Sequence, residues 1–143
     1  MRVAVSAGEI RVPINSDQDI VLARQKGRTL ATEAGFTAVD STLIATAISE
    51  LARNIVSYAK KGEIILQPLR NSHRTGISIV ASDNGPGIPD IRLALRDGFS
   101  TSGSLGLGLP GVRRLVDEFQ IVSSIGQGTV VKATKWRPDH RED

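Results

Sequence analysis

Cysteine is absent from the 143-residue chain, which removes disulfides, thiolate metal sites and a cysteine nucleophile together. Aromatic residues make up only 3% of the sequence. The core must therefore be aliphatic, and stacking platforms for single-stranded nucleic acid are not provided for. No apolar run approaches the ~18 residues of a membrane helix, and residues 1–11 lack the apolar stretch of a secretion signal. A cytoplasmic protein with no membrane partner is the expectation. Dense basic clusters are missing as well. The net charge of +3 suits an acidic ligand such as nucleotide phosphates. Only Lys60-Lys61 and Arg113-Arg114 are adjacent, however, so no nucleic-acid partner is expected.

What is present fits one domain, long enough to bury about 70% of its unfolded surface. We assign residues 1–136 to that domain and 137–143 to a polar tail. Two short strands are expected at 1–6 and 9–14, around a turn at Ala7-Gly8. Ser16 can cap a helix running to about Ala34, with Gly35 as its stop. Its buried stripe, Ile20, Ala23, Gly27, Leu30, Ala31 and Ala34, is mostly small, which predicts close approach to a neighbour. A second helix starts at Thr37 and ends near Lys61, with Gly62 as the stop signal. Ile44, Ile48, Leu51, Ile55 and Tyr58 follow the spacing of a core-facing stripe.

Runs at 63–70 and 76–83 read as a hairpin. The Gly-, Ser- and Asp-rich segment 84–105 has one or two helical turns near 91–96, and such long segments are usually functional. A helix over 109–117 and strands at 119–124 and 129–136 complete the order. The pattern predicts an α/β two-layer sandwich, its sheet mixed but mostly antiparallel, with helices on one face.

Three clusters carry chemistry. Glu50 and Asn54 lie i, i+4 on the second helix, at the border of its apolar stripe, where they can line a cleft. They fit a half-exposed helix border equally well. Asp83-Asn84-Gly85-Pro86-Gly87-Ile88 follows a strand end; its glycines allow close backbone approach to a ligand, though such residues also make plain turns. Gly103-Ser104-Leu105-Gly106-Leu107-Gly108-Leu109 opens a helix whose N-terminal N–H groups suit phosphates. It is not a Walker A loop, because no Gly-Lys-Ser/Thr follows.

In this order, with Gly126-x-Gly128-Thr129 behind them, these clusters resemble the N, G1, G2 and G3 boxes of the GHKL superfamily, which implies the Bergerat ATP-binding fold. The chain has no room for the transducer domain of the larger ATPases. Its two histidines, His73 and His140, lie outside the expected helices, which argues against histidine autophosphorylation. The segments 50–59 and 96–109 are similar to the serine kinases of sigma-factor partner switching, in particular the stressosome switch kinases.

That resemblance implies ATP and Mg²⁺ as cofactors. It implies STAS-domain proteins as substrates and a PP2C-type phosphatase as a regulated partner; the oligomeric state stays open. Asp83 would accept the adenine N6 amine, with Thr129, Gly87, Gly85 and Ile88 completing that pocket. Asn54 would ligate Mg²⁺, and Glu50 would act as general base toward a serine. Ser104, Leu105, Gly106, Leu107, Gly108 and Leu109 would wrap the phosphates, beneath a lid over 89–105 made mobile by Gly98 and Gly103. Many GHKL kinases carry a basic residue three positions after the Asn. Here that residue is Ser57, which leaves Arg53, Arg92 or Arg96 to support the phosphoryl charge beside Mg²⁺. Two alternatives stay open: an ATP-bound anti-sigma factor that sequesters its partner, and an ATPase with water as acceptor.

Overall fold

The computed structural model describes residues 8–96 and 108–138. The expected strand over 1–6, most of the lid and the tail beyond 138 lie outside them. The elements run β1 (Ile10–Ile14), α1 (Asp17–Glu33), α2 (Ala38–Asn54), a π-helical turn (Ile55–Ala59), β2 (Gly62–Arg70), β3 (Thr75–Asp83), α3 (Ile91–Ala94), α4 (Gly108–Leu115), β4 (Glu118–Ser124) and β5 (Gly128–Trp136). Five strands form one sheet in the order β1-β2-β3-β5-β4. Every described pair is antiparallel, where a mixed, mostly antiparallel sheet was expected.

Period-two alternation sends Val12, Ile14, Ile64, Leu66, Ile77, Ile79, Val131 and Ala133 to one face. There they join Ile20, Leu30, Ile44, Ile48, Leu51 and Val112 of the helices in one aliphatic core. The absence of bulky aromatics leaves interdigitated Ile, Leu, Val and Ala to supply the close packing.

Local chemistry sets the helix ends. Asp19 reaches back to accept the backbone N–H groups of Asn15 and Ser16 at 2.8 and 3.1 Å, satisfying donors that a helix start orphans. Gly35, at φ 91°, turns the chain out of α1. Thr37 Oγ1 accepts the Asp40 N–H at 3.1 Å and opens α2. The small stripe of α1 has its reason in Gly27: a Cβ there would overlap Ile48 Cδ1 of α2. All of the stripe is buried except Ala34, which is partly so.

The end of α2 departs from expectation. The regular helix stops at Asn54 and continues as one π turn. Lys60, not Gly62, takes the left-handed backbone, at φ 77°. Gly62 already belongs to β2, where a side chain would run into the Ser82 carbonyl and Ile55. The wider turn also breaks the phase of the stripe. Tyr58, expected in the core, is 46% exposed.

Candidate functional site

Glu50 and Asn54 point where the last turns of α2 approach α4 and the end of β3. Glu50 is only 7% exposed, so it is not the half-solvated glutamate of an ordinary helix border. A buried carboxylate requires partners. One oxygen, Oε2, accepts from Arg53 Nη1 at 2.9 Å, and Oε1 accepts from the Gly108 backbone N–H at 3.2 Å. The second bond puts an anion at the first residue of α4, where the helix dipole favours negative charge. Arg53 is thereby tied to Glu50, while Arg92 and Arg96 lie exposed on and just after α3. Asn54, one turn beyond Glu50, is half-buried and faces open space.

The second wall forms where β3 ends. Asp83 Oδ1 accepts the Gly85 N–H at 2.9 Å, which fixes the carboxylate and leaves Oδ2 for another donor. Residues 86–88 then run against the β4–β5 turn. Gly126 N–H donates to the Pro86 carbonyl at 2.8 Å, and the Ile88 N–H donates to Ser123 Oγ at 2.7 Å. Gly128, at φ 103°, has no room for a side chain, since a Cβ would overlap the Asp83 carbonyl.

Between these walls lies a cavity of 310 Å³. Asn54, Asp83, Gly87, Ile88, Gly108, Leu109 and Thr129 line it, with Leu51, Ile55, Tyr58, Ala81 and Val131 supplying apolar surface. Two of the sequence-derived residues stand one step behind the lining. Gly85 sits under Asp83, and Glu50 reaches the cavity rim through Gly108. Ser104, Leu105, Gly106 and Leu107 lie outside the described residues. Among the described residues no three His, Cys, Asp or Glu converge on a metal. No described helix is long and apolar enough to cross a membrane.

Sequence reasoning assigned Tyr58 to the core rather than to the site, and passed over Ser123. The π turn brings Tyr58 to the cavity wall, and no residue pattern announced that turn. Ser123 had a usable signal: it lies opposite Thr129 in the β4–β5 register, and two-residue alternation turns both inward.

A mostly apolar slot with a few fixed polar groups is the usual form of a small-molecule site. A flat heterocycle fits the apolar walls, and Asp83 offers a carboxylate to an amine at its edge. Beyond the Gly108 N–H, which Glu50 takes, the α4 start offers its helix dipole to anionic groups. A hard divalent cation that keeps its waters and takes most other oxygens from phosphates needs only the Asn54 amide from the protein.

Comparison with known proteins agrees with this fold. The family described as "Histidine kinase-, DNA gyrase B-, and HSP90-like ATPase" matches residues 39–139. The chain is 56% identical over 125 residues to the "Serine/threonine-protein kinase RsbT" of Bacillus subtilis, covering 87% of this chain and 94% of that protein. It is 30% identical over 99 residues to the "Anti-sigma F factor" of a Thermoanaerobacter species, covering 65% of this chain and 68% of that one. Among solved structures, the RsbU and RsbW domains of a Mycobacterium tuberculosis protein superpose with TM-score 0.59 at 21% identity. That match covers 93% of this chain and 33% of the other. The mycobacterial sensor histidine kinase MprB superposes with TM-score 0.55 at 19% identity, covering 90% of this chain and 99% of that one. At those identities the two structures speak to the fold alone.

Proposed function

Because the chain belongs to the histidine kinase-, DNA gyrase B- and HSP90-like ATPase family, we propose that it is an ATP-dependent serine/threonine protein kinase of the sigma-factor partner-switching type. Residues 1–136 would form the kinase domain, phosphorylating STAS-domain proteins in the cytoplasm and, once released, activating a PP2C-type phosphatase. One observation carries the reading. Asn54, Asp83, Gly108 and Thr129, from four separate stretches of chain, line a single cavity, and a buried carboxylate stands at its rim.

The residues divide the work. Asp83 Oδ2 accepts the N6 amine of adenine, which guanine lacks, while Gly85 holds Oδ1. Asn54 would hold Mg²⁺, which would supply positive charge against the phosphates. Gly106 would offer its N–H to the phosphates, while the Gly108 N–H is held by Glu50. Glu50 takes the proton of the incoming serine hydroxyl as the serine oxygen bonds the terminal phosphorus and the bond to ADP breaks. Each carboxylate oxygen has two lone pairs, so the contacts to Arg53 and Gly108 leave Glu50 able to accept that proton. Arg53 orients the base through its 2.9 Å contact to Oε2.

Anti-sigma sequestration, with phosphorylation secondary, is the competing reading, and a relative of that description exists at 30% identity. The 56% match over nearly the whole of a protein named as a kinase favours transfer. Incubation with γ-labelled Mg-ATP and a STAS-domain protein from the same operon decides. Label on a STAS serine that disappears with Asn54→Ala supports the kinase. ATP binding without transfer moves the function to nucleotide-gated sequestration, and turnover without any acceptor protein points to a simple ATPase.

A further inference from the structure

Ser123 lies on β4, half-buried and outside the cavity lining, yet its hydroxyl meets three groups. Ile88 N is 2.7 Å away, Thr129 Oγ1 2.9 Å and the Gly128 carbonyl 3.2 Å. A hydroxyl has one proton and two lone pairs. The Ile88 N–H can only donate, so it occupies one lone pair. The Ser123 proton then goes either to Thr129 Oγ1 or to the Gly128 carbonyl.

The choice decides what Thr129 offers the cavity. If Ser123 donates to Gly128, Thr129 spends its own proton on Ser123 and presents only lone pairs. If Ser123 donates to Thr129, the Thr129 proton is free to point inward. Adenine shows a donor at N6 beside an acceptor at N1. Asp83 meets the donor, and the acceptor beside it needs a proton from the protein. Of the two acceptors open to the Ser123 proton, Thr129 Oγ1 at 2.9 Å is nearer than the Gly128 carbonyl at 3.2 Å. A proton given to Thr129 leaves the Thr129 proton for the base.

We propose that Ser123 is a positioning residue for base recognition: it sets the Thr129 hydroxyl as a donor toward the base. The same oxygen anchors Ile88, so one residue fixes two walls of the cavity. The proposal rests on the nucleotide reading above. Hypoxanthine, with N–H at position 1 and a keto oxygen at 6, then meets a donor at Thr129 and an acceptor at Asp83, both mismatched.

The test is ATP and ITP affinity by calorimetry on the full chain, for wild type, Ser123→Ala, Thr129→Val and the double variant. Loss of one net hydrogen bond corresponds to an affinity loss of about 3–10-fold. Ser123→Ala is expected to weaken ATP by that factor while ITP changes less, so ATP/ITP discrimination narrows. The double variant should lose less ATP affinity than the product of the two single losses. Ser123 acts in large part through Thr129, and only its Ile88 contact lies outside that path. Ser123→Thr, which keeps the hydroxyl, should return ATP affinity to within about twofold of wild type. Ser123→Cys preserves the volume with a weak donor and should reproduce the loss even if Ser123→Ala folds poorly. Independent, multiplying losses in the double variant would overturn the proposal, as would unchanged ATP affinity in both Ser123→Ala and Ser123→Cys. Wild-type protein that binds no ATP would instead overturn the nucleotide reading, and this inference with it.

Discussion

The two ends of the sheet are built from similar pieces and put to opposite uses. At the end where β2 turns into β3, Gly76 lies opposite Trp136, and its missing side chain makes room for the indole and the Lys135 carbonyl. The ring is then closed in: its Nε1–H donates to Glu118 at 2.9 Å, the Trp136 backbone N–H donates to Asp117 at 2.7 Å, and the Arg74 guanidinium covers its face at 3.9 Å. At the other end Gly128 makes room for the Asp83 carbonyl. Nothing large fills that gap. Backbone meets backbone, hydroxyls tie the strands, and a cavity stays open. A glycine beside an aromatic plugs one end of the sheet; a glycine beside a carbonyl frames a site at the other.

If the open end holds the chemistry, the largest effect belongs to the base. Glu50→Gln keeps the shape and the acceptor for Gly108 but takes no proton. Phosphotransfer is expected to fall about 10²–10⁴-fold, with ATP affinity by calorimetry little changed. Near-normal transfer in that variant would make Glu50 a structural anion for α4.

Next in size comes Gly128→Ala. The residue needs a left-handed backbone at φ 103° and adds an atom against a carbonyl that no rotamer can move aside. Strain and overpacking together should cost about 3 kcal/mol in denaturant unfolding and sharply weaken ATP binding. A variant within about 1 kcal/mol of wild type that binds ATP normally would show that the β4–β5 turn can yield.

The matching change at the closed end, Gly76→Ala, pushes on the Trp136 ring and the Lys135 carbonyl. An overpacking cost of about 1–3 kcal/mol is expected, with ATP affinity untouched. Loss of ATP binding there would mean that the two ends communicate through β3, and the contrast would fail.

What the sequence made legible tracks this division. Alternation and helical spacing carry the aliphatic core, because burial there depends on neighbours a few residues apart: Ile64 with Leu66, Ile44 with Ile48. Box spacing marked Asn54, Asp83 and Thr129, which the fold gathers around one cavity. The rest depends on meetings across the chain. Glu50 finds Gly108, and Ser123 finds Ile88, only once α4 and β4 are docked. The π turn after Asn54 and the left-handed Lys60 gave no advance sign either. Lysine has no special claim on that conformation, and Gly62, which does, serves strand packing instead.

The smallest expected effect is also the cleanest probe of the closed end. Arg74 is exposed, and its guanidinium lies over a ring that Gly76 and the acidic pair Asp117–Glu118 already fix. Its attraction to the ring works mostly in water, where cation–π contacts contribute about 0.5–1 kcal/mol. Arg74→Ala should therefore lower unfolding stability by about that amount and leave both ATP affinity and phosphotransfer at wild-type values. Arg74→Lys should recover part of the loss, because a lysine keeps the charge but not the flat stacking surface. A loss well above 1 kcal/mol would mean that the indole depends on Arg74 for its position. The plug would then be a network rather than a ring seated by glycine.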